Sequence, residues 1–212
     1  MKINMALKYA LFPNRYIIQM SPVRTGSTFA YNILKAVCSH KSIEKHHNYS
    51  ALFNRMPIVV TVRNPFDTLA SICRVHKFNI SDETIVHACN TFKLNGGDDI
   101  LQVRNRSNVL IISYAQLVGD LSGIFDRLEE FFGVLVDEKL RLEITSKYGL
   151  DAASKISHSK GEFAIWDAET KIHGDHISDR AQEIGYGRES FTSKQIEYIQ
   201  KELAPYFSAF DY

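Results

Sequence analysis

Two short stretches combine basic side chains, hydroxyls and glycine in a way that suits a bound anion. The first, Ser21-Pro22-Val23-Arg24-Thr25-Gly26-Ser27-Thr28-Phe29, follows the apolar run Tyr16-Ile17-Ile18-Gln19-Met20 and precedes a segment of helical periodicity. A strand–loop–helix unit turns free backbone N–H groups and the positive end of a helix dipole toward a negative ligand. Gly26 allows close backbone approach, Ser27 and Thr28 add hydroxyls, and Arg24 adds a fixed positive charge. The loop is not wired for ATP: it lacks a glycine five residues before Gly26, and Ser27 stands where a P-loop carries lysine. Taken alone, it also reads as a tight turn with a surface arginine.

The second stretch, Val62-Arg63-Asn64-Pro65-Phe66-Asp67-Thr68-Leu69-Ala70-Ser71, again sits where a strand passes into a helix. Arg63 falls at the carboxyl end of the strand, where open α/β sheets bind ligands. Ser71 lies about two turns into the following helix, so Arg63 and Ser71 can converge on one phosphate. Asp67 is expected to contact free N–H groups in the first turn of that helix. A third cluster, Glu44-Lys45-His46-His47-Asn48, offers candidates for proton transfer. In an extended segment Lys45 and His47 share a face and His46 points the other way. An exposed polar loop with two incidental histidines is the alternative.

The pair SPVRTGST and VRNPFDTLAS resembles the two cofactor loops of the sulfotransferases that use 3′-phosphoadenosine 5′-phosphosulfate (PAPS). The resemblance implies that Arg24, Thr25, Gly26, Ser27 and Thr28 hold the 5′-phosphosulfate, and that Arg63 and Ser71 hold the 3′-phosphate. It carries the tyrosine near the adenine over to Tyr114 in Val109–Gly119, and a C-terminal F-T/S-x-x-Q element to Phe191 and Thr192. The family's basic segment before that element maps onto Arg180 and Arg188, with Gly185 on its second glycine. Gln182 replaces its first glycine and Gly187 its tryptophan. The family's K-T-H triplet implies that Lys45 and His47 both turn to the site, with His47 as general base and His46 as the alternative one register away. Arg24, in the phosphosulfate loop, is the first candidate for the charge on the leaving oxygen, with Lys45 as a further catalytic cation.

The implied reaction is in-line transfer of a sulfuryl group from PAPS to a hydroxyl or amine, leaving 3′-phosphoadenosine 5′-phosphate (PAP), with no metal required. The acceptor is expected to be a small molecule or carbohydrate, in a pocket including Phe78–Ile80 and residues 150–178. Two other readings stay open: an inactive nucleotide-binding module of the same fold, and an NTP-dependent kinase. The kinase is disfavoured by the missing lysine and by the lack of an acidic residue ending the Ile58 strand.

Positioning these groups requires strands alternating with helices. Tyr16–Met20, Ile58–Val62 and Val109–Ile112 read as buried strands, and Ser42–His47 as a short one. Helices are expected from Ser27, after Asn64-Pro65, over Ser81–Asn95 and over Ser122–Phe132. A capping box at Thr192–Gln195 opens a last one, closed by Pro205. Residues 150–190 read as polar loops. The expected architecture is a three-layer α/β domain over residues 1–212, with a mostly parallel sheet covered on both faces and a fold like that of P-loop proteins.

Composition agrees with that class. The 212 residues are 45% hydrophobic and 23% charged, with 25 basic against 24 acidic side chains. So balanced a charge argues against nucleic-acid binding, and the short apolar runs argue against a membrane span. Cys38, Cys73 and Cys89 show no paired spacing and are expected as buried thiols. With no recognisable signal segment, a cytoplasmic location is expected. His173 and His176 form a weak metal pair lacking a third ligand. Trp166, Phe125, Phe131 and Phe132 are expected in the core. Oligomeric state is not legible.

Overall fold

A computed structural model describes residues 5–175 and 177–212. Four parallel strands form its sheet: β1 (Tyr16–Met20), β2 (Ser42–His46), β3 (Ile58–Val62) and β4 (Val109–Ser113), in the spatial order β2-β1-β3-β4. The two central strands are buried almost throughout, as their unbroken apolar runs require, while the edge strands β2 and β4 are only partly covered.

Because strand side chains alternate, each strand feeds two cores. Ile17, Val59, Leu110 and Ile112 face one layer of helices, and Ile18, Met20, Ile58, Val60 and Val62 face the other. Eleven α-helices are described: α1 (Met5–Leu11), α2 (Ser27–Val37), α3 (Pro65–Val75), α4 (Asp82–Phe92), α5 (Asp98–Val103), α6 (Tyr114–Gly119), α7 (Leu121–Phe132), α8 (Glu138–Tyr148), α9 (Leu150–Lys160), α10 (Ser193–Glu202) and α11 (Ala204–Phe210). Apolar residues of α2, α7 and α8 fill the first core, and those of α3, α4, α5, α10 and α11 the second. The three-layer expectation holds.

The chain winds outward from β1 in both directions, so the point between β1 and β3 is a topological switch, where crevices open at the carboxyl ends of strands. The β1–β3 ladder pairs only Ile18 with Ile58 and Gln19 with Val59. Beyond it the Ser21 hydroxyl bridges the strands, accepting the Thr61 N–H at 2.7 Å and a Gln19 side-chain N–H at 2.6 Å.

Local signals set most helix ends. The Asn64 side chain accepts the Phe66 N–H with Pro65 in the first turn, and Thr192 and Gln195 cap each other reciprocally. Four expectations are corrected. Residues 150–190 are not all loop, because α9 spans Leu150–Lys160 and buries Ala153 and Ser157. Its small polar residues hid a helix whose buried face needs little bulk. Pro205 does not follow the last helix but sits in the first turn of another, where its missing N–H costs nothing. Trp166 is 54% exposed rather than core. The short strand ends at His46, one residue earlier than expected. The three cysteines are buried free thiols.

Candidate active site

The loop after β1 is bent by two left-handed residues, Arg24 at φ 65° and Gly26 at φ 91°. Gly26 needs its freedom twice over, since a Cβ there would also lie 2.9 Å from Leu117 Cδ1 and 3.0 Å from Tyr114 Cδ2. Glycine at the N-cap supplies no side-chain cap, so the first-turn N–H groups of α2 stay available to a ligand. Not every hydroxyl in the loop faces outward. Thr25 is fully buried, and its Oγ1 donates to the Pro22 carbonyl at 2.8 Å and lies 2.9 Å from Thr61 Oγ1. Its hydroxyl shapes the loop from within.

Four cations gather around this loop. Arg24 Nε donates to Ser71 Oγ at 3.0 Å, joining the two motifs directly. Arg63 is 5% exposed, and its Nη1 donates to the Arg24 carbonyl at 3.4 Å. Its guanidinium lies 4.0 Å from the centre of the Tyr114 ring, while its Nε and Nη2 are buried with no hydrogen-bond partner among the described residues. Arg74, one turn beyond Ser71, donates to the Asp175 carboxylate at 2.9 Å. Lys45 Nζ donates to Thr28 Oγ1 at 2.6 Å.

Burial among like charges disfavours the charged forms of Arg24 and Lys45. Burial, then Arg74, then Arg63 push the Arg24 guanidinium down to about 9. Burial, then Arg24, push the Lys45 ammonium down to about 8. A bound anion would relieve both. Beside these cations opens a cavity with about 640 Å³ of atom-free space, mouth included. Arg24, Thr28, Arg63 and Ser71 form its polar end, and Phe29, Tyr148, Leu150 and Ile172 are among its apolar walls.

His47 lies beyond the end of β2, with Nδ1 2.8 Å from the Ser21 carbonyl oxygen. A carbonyl can only accept, so Nδ1 carries the hydrogen and Nε2 is the basic nitrogen. Burial first, then Lys45, hold this imidazole below the usual histidine range, partly offset by the Ser21 bond. His46 points the opposite way, toward Tyr9 and Phe53, as strand alternation requires. The turn Lys93–Gly97 packs under His47: Gly96, at φ 102°, lies against the His47 carbonyl and Pro22, and Asn95 accepts the Val23 N–H at 3.3 Å. Nothing in the sequence around Asn95 and Gly96 links them to the loop some seventy residues earlier.

Tyr114 lines the cavity, and its hydroxyl donates to the Ala181 carbonyl at 3.1 Å. Burial raises this phenol, with Arg63 opposing. The segment from 180 to 188 differs from expectation. Arg180 is exposed, bonded to Glu183 and Glu189, and lies over the Tyr186 ring at 4.6 Å. Arg188 is exposed over Phe66 at 5.5 Å. Neither lines the cavity. Asp67 does not serve the N–H groups of its own helix. It accepts the Gly185 and Gly187 N–H groups, each at 2.8 Å, which anchors that segment instead.

The described residues contain no cluster of three or more metal-ligating side chains, and His176 lies outside them. None of the described helices is long and apolar enough to cross a membrane.

The chain matches the family model described as "Sulfotransferase domain" over residues 31–209. Among solved structures it is similar to a mouse sulfotransferase complexed with PAP, with a TM-score of 0.63 at 16% identity, covering 89% of this chain and 83% of that one. It is also similar to retinol dehydratase in complex with androsterone and inactive cofactor PAP, with a TM-score of 0.65 at 11% identity over 94% of this chain and 84% of that one. A second structure of retinol dehydratase, with retinol and PAP, aligns to the same extent. A search of curated protein sequences gives no match.

Proposed function

Because the chain belongs to the PAPS-dependent sulfotransferase family, we propose that it transfers the sulfuryl group of PAPS to a hydroxyl or amine of a small-molecule or carbohydrate acceptor. The observation that carries this reading is the buried, half-satisfied Arg63 beside Ser71 and Arg24. Unmade hydrogen bonds on a buried guanidinium are costly, and a phosphate dianion would complete them. The residues fit the donor in other respects too. Arg63 and Ser71 would hold the 3′-phosphate, and Arg24 with the N–H groups of Gly26, Ser27 and Thr28 the 5′ end. Thr25 supports that loop from within. Phe29, Tyr114 and the apolar walls suit a purine. Arg180 and Arg188 would act from the rim, and only after Arg180 leaves its carboxylates.

When bound, PAPS supplies an electrophilic sulfur and a phosphate leaving group. The chain's part is alignment and electrostatics. His47 Nε2 would accept the acceptor's proton as its oxygen or nitrogen bonds to sulfur. Arg24 and Lys45 would stabilise the charge that the breaking S–O bond leaves on the bridging oxygen. The proton ends on His47 and the electron pair on PAP. The retinol dehydratase complexes contain retinol or androsterone, and by extension we propose a small hydroxyl-bearing acceptor here.

The test is a titration of wild-type and Arg63→Ala protein with PAP, adenosine 5′-phosphate and ATP. Wild type is expected to bind PAP at least tenfold tighter than either other nucleotide, and Arg63→Ala to lose most of that preference. A preference for ATP with Mg²⁺ would overturn the reading.

A further inference from the structure

We propose that Asp67 is a positioning residue whose engagement with the 185–187 turn keeps Arg63 available to an incoming phosphate. The inference rests on the reading of Arg63 and Ser71 as the 3′-phosphate site. Asp67 is wholly buried four residues after Arg63, yet Oδ2 and Arg63 Nε make only a loose ion pair at 4.0 Å, beyond hydrogen-bonding distance. Buried opposite charges attract strongly, so a free carboxylate at this position would close on the guanidinium and satisfy it. Both oxygens are instead anchored at that distance: Oδ2 accepts the Gly185 N–H and Oδ1 the Gly187 N–H, each at 2.8 Å.

The turn is shaped for that task. Gly185 adopts φ 88°, which reverses the chain. Any side chain on Gly187 would run into the Phe66 carbonyl oxygen and the Asp67 nitrogen, so only glycine brings this N–H to the carboxylate. Tyr186, between the two, sets its ring 6.0 Å from the Arg63 guanidinium. Gly187, where the family pattern has tryptophan, thus becomes part of a device: two backbone N–H groups occupy the carboxylate, and Arg63 Nε and Nη2 remain for a ligand.

The experiment compares PAP with adenosine 5′-phosphate, since only their affinity ratio isolates the 3′-phosphate. In Gly187→Ala the displaced turn releases Asp67 to pair with Arg63, and the ratio is expected to fall about tenfold. Adding Asp67→Asn removes the competing charge and is expected to restore most of the ratio even though the clamp is gone. A purely structural role would weaken both nucleotides in proportion and show no restoration, and that result overturns the proposal. Absence of any PAP preference in the wild type would instead overturn the assignment of the 3′-phosphate site itself. Amide hydrogen exchange on the wild type adds a check that depends on no variant folding. The Gly185 and Gly187 amides are expected to be protected both with and without PAP, and rapid exchange in the free protein would refute the clamp.

Discussion

In the proposed reaction Lys45, on β2, and His47, just beyond its end, would take opposite jobs. The Ser21 carbonyl fixes the His47 tautomer, and burial keeps the ring neutral at neutral pH, as a proton acceptor must be. Lys45 must stay charged to help a leaving oxygen, and burial beside Arg24 brings its titration down to about 8. The pH profile follows from these directions. The base fails only when His47 is protonated, so the acid limb of kcat/KM is expected below the ordinary histidine value of about 6.5. The cation fails when Lys45 is deprotonated, so the alkaline limb is expected near 8. His47→Ala should lower kcat by about 10²–10⁴-fold and leave the PAP Kd within about twofold, measured by turnover and by calorimetry. The residue types and the two-residue spacing were legible in the sequence, and so was the turn of His46 away from the site. The Ser21 carbonyl that orients His47 was not, because it comes from the loop after β1, 26 residues earlier in the chain.

At the scale of elements, part of the cavity wall comes from a segment that sequence periodicity did not resolve. Ile172, Ile177, Ser178 and Ala181 line the cavity, and the chain around them is held by a few long-range polar contacts. Asn32 on α2, buried at 2% exposure, donates to the Thr170 carbonyl at 2.8 Å and to the Thr28 carbonyl at 2.9 Å. Arg74 holds Asp175, and Ser157 on α9 accepts the Ile177 N–H at 3.2 Å. Removing the Asn32 amide leaves the Thr170 carbonyl without that donor, at a cost of about 1–3 kcal/mol. Asn32→Ala is therefore expected to lower stability by that amount in urea unfolding. It should also expose residues 161–175 to limited proteolysis at a temperature where the sheet remains intact. Unchanged cleavage would mean that Asn32 does not tether the segment. Strong signals such as Asn64-Pro65 and Thr192–Gln195 marked their helices correctly. The α9 helix was missed because a helix burying alanine and serine gives almost no apolar period.

At the scale of the whole molecule, the described residues form two cores on opposite faces of one sheet, and β1 and β3 supply side chains to both. We propose that residues 1–212 unfold as one domain, since β1 and β3 contribute to both cores and neither layer can dissolve alone. One calorimetric transition is expected, displaced upward by PAP: at 100 times its Kd the ligand should add about 2.7 kcal/mol. Two separated transitions, or a PAP shift confined to one of them, would refute a single unit. What the sequence determined by itself is what is written locally: strand and helix periods, caps, the glycine of the cradle, and the spacing from Arg63 at a strand end to Ser71 on the following helix. The tertiary structure alone decided which distant groups meet: Asp67 with Gly185 and Gly187, His47 with Ser21, Asn95 with Val23, Asn32 with Thr170. Backbone N–H and C=O groups are the same at every residue, so residue identity cannot announce a side chain's backbone partner from a remote loop. Only the folded chain selects it.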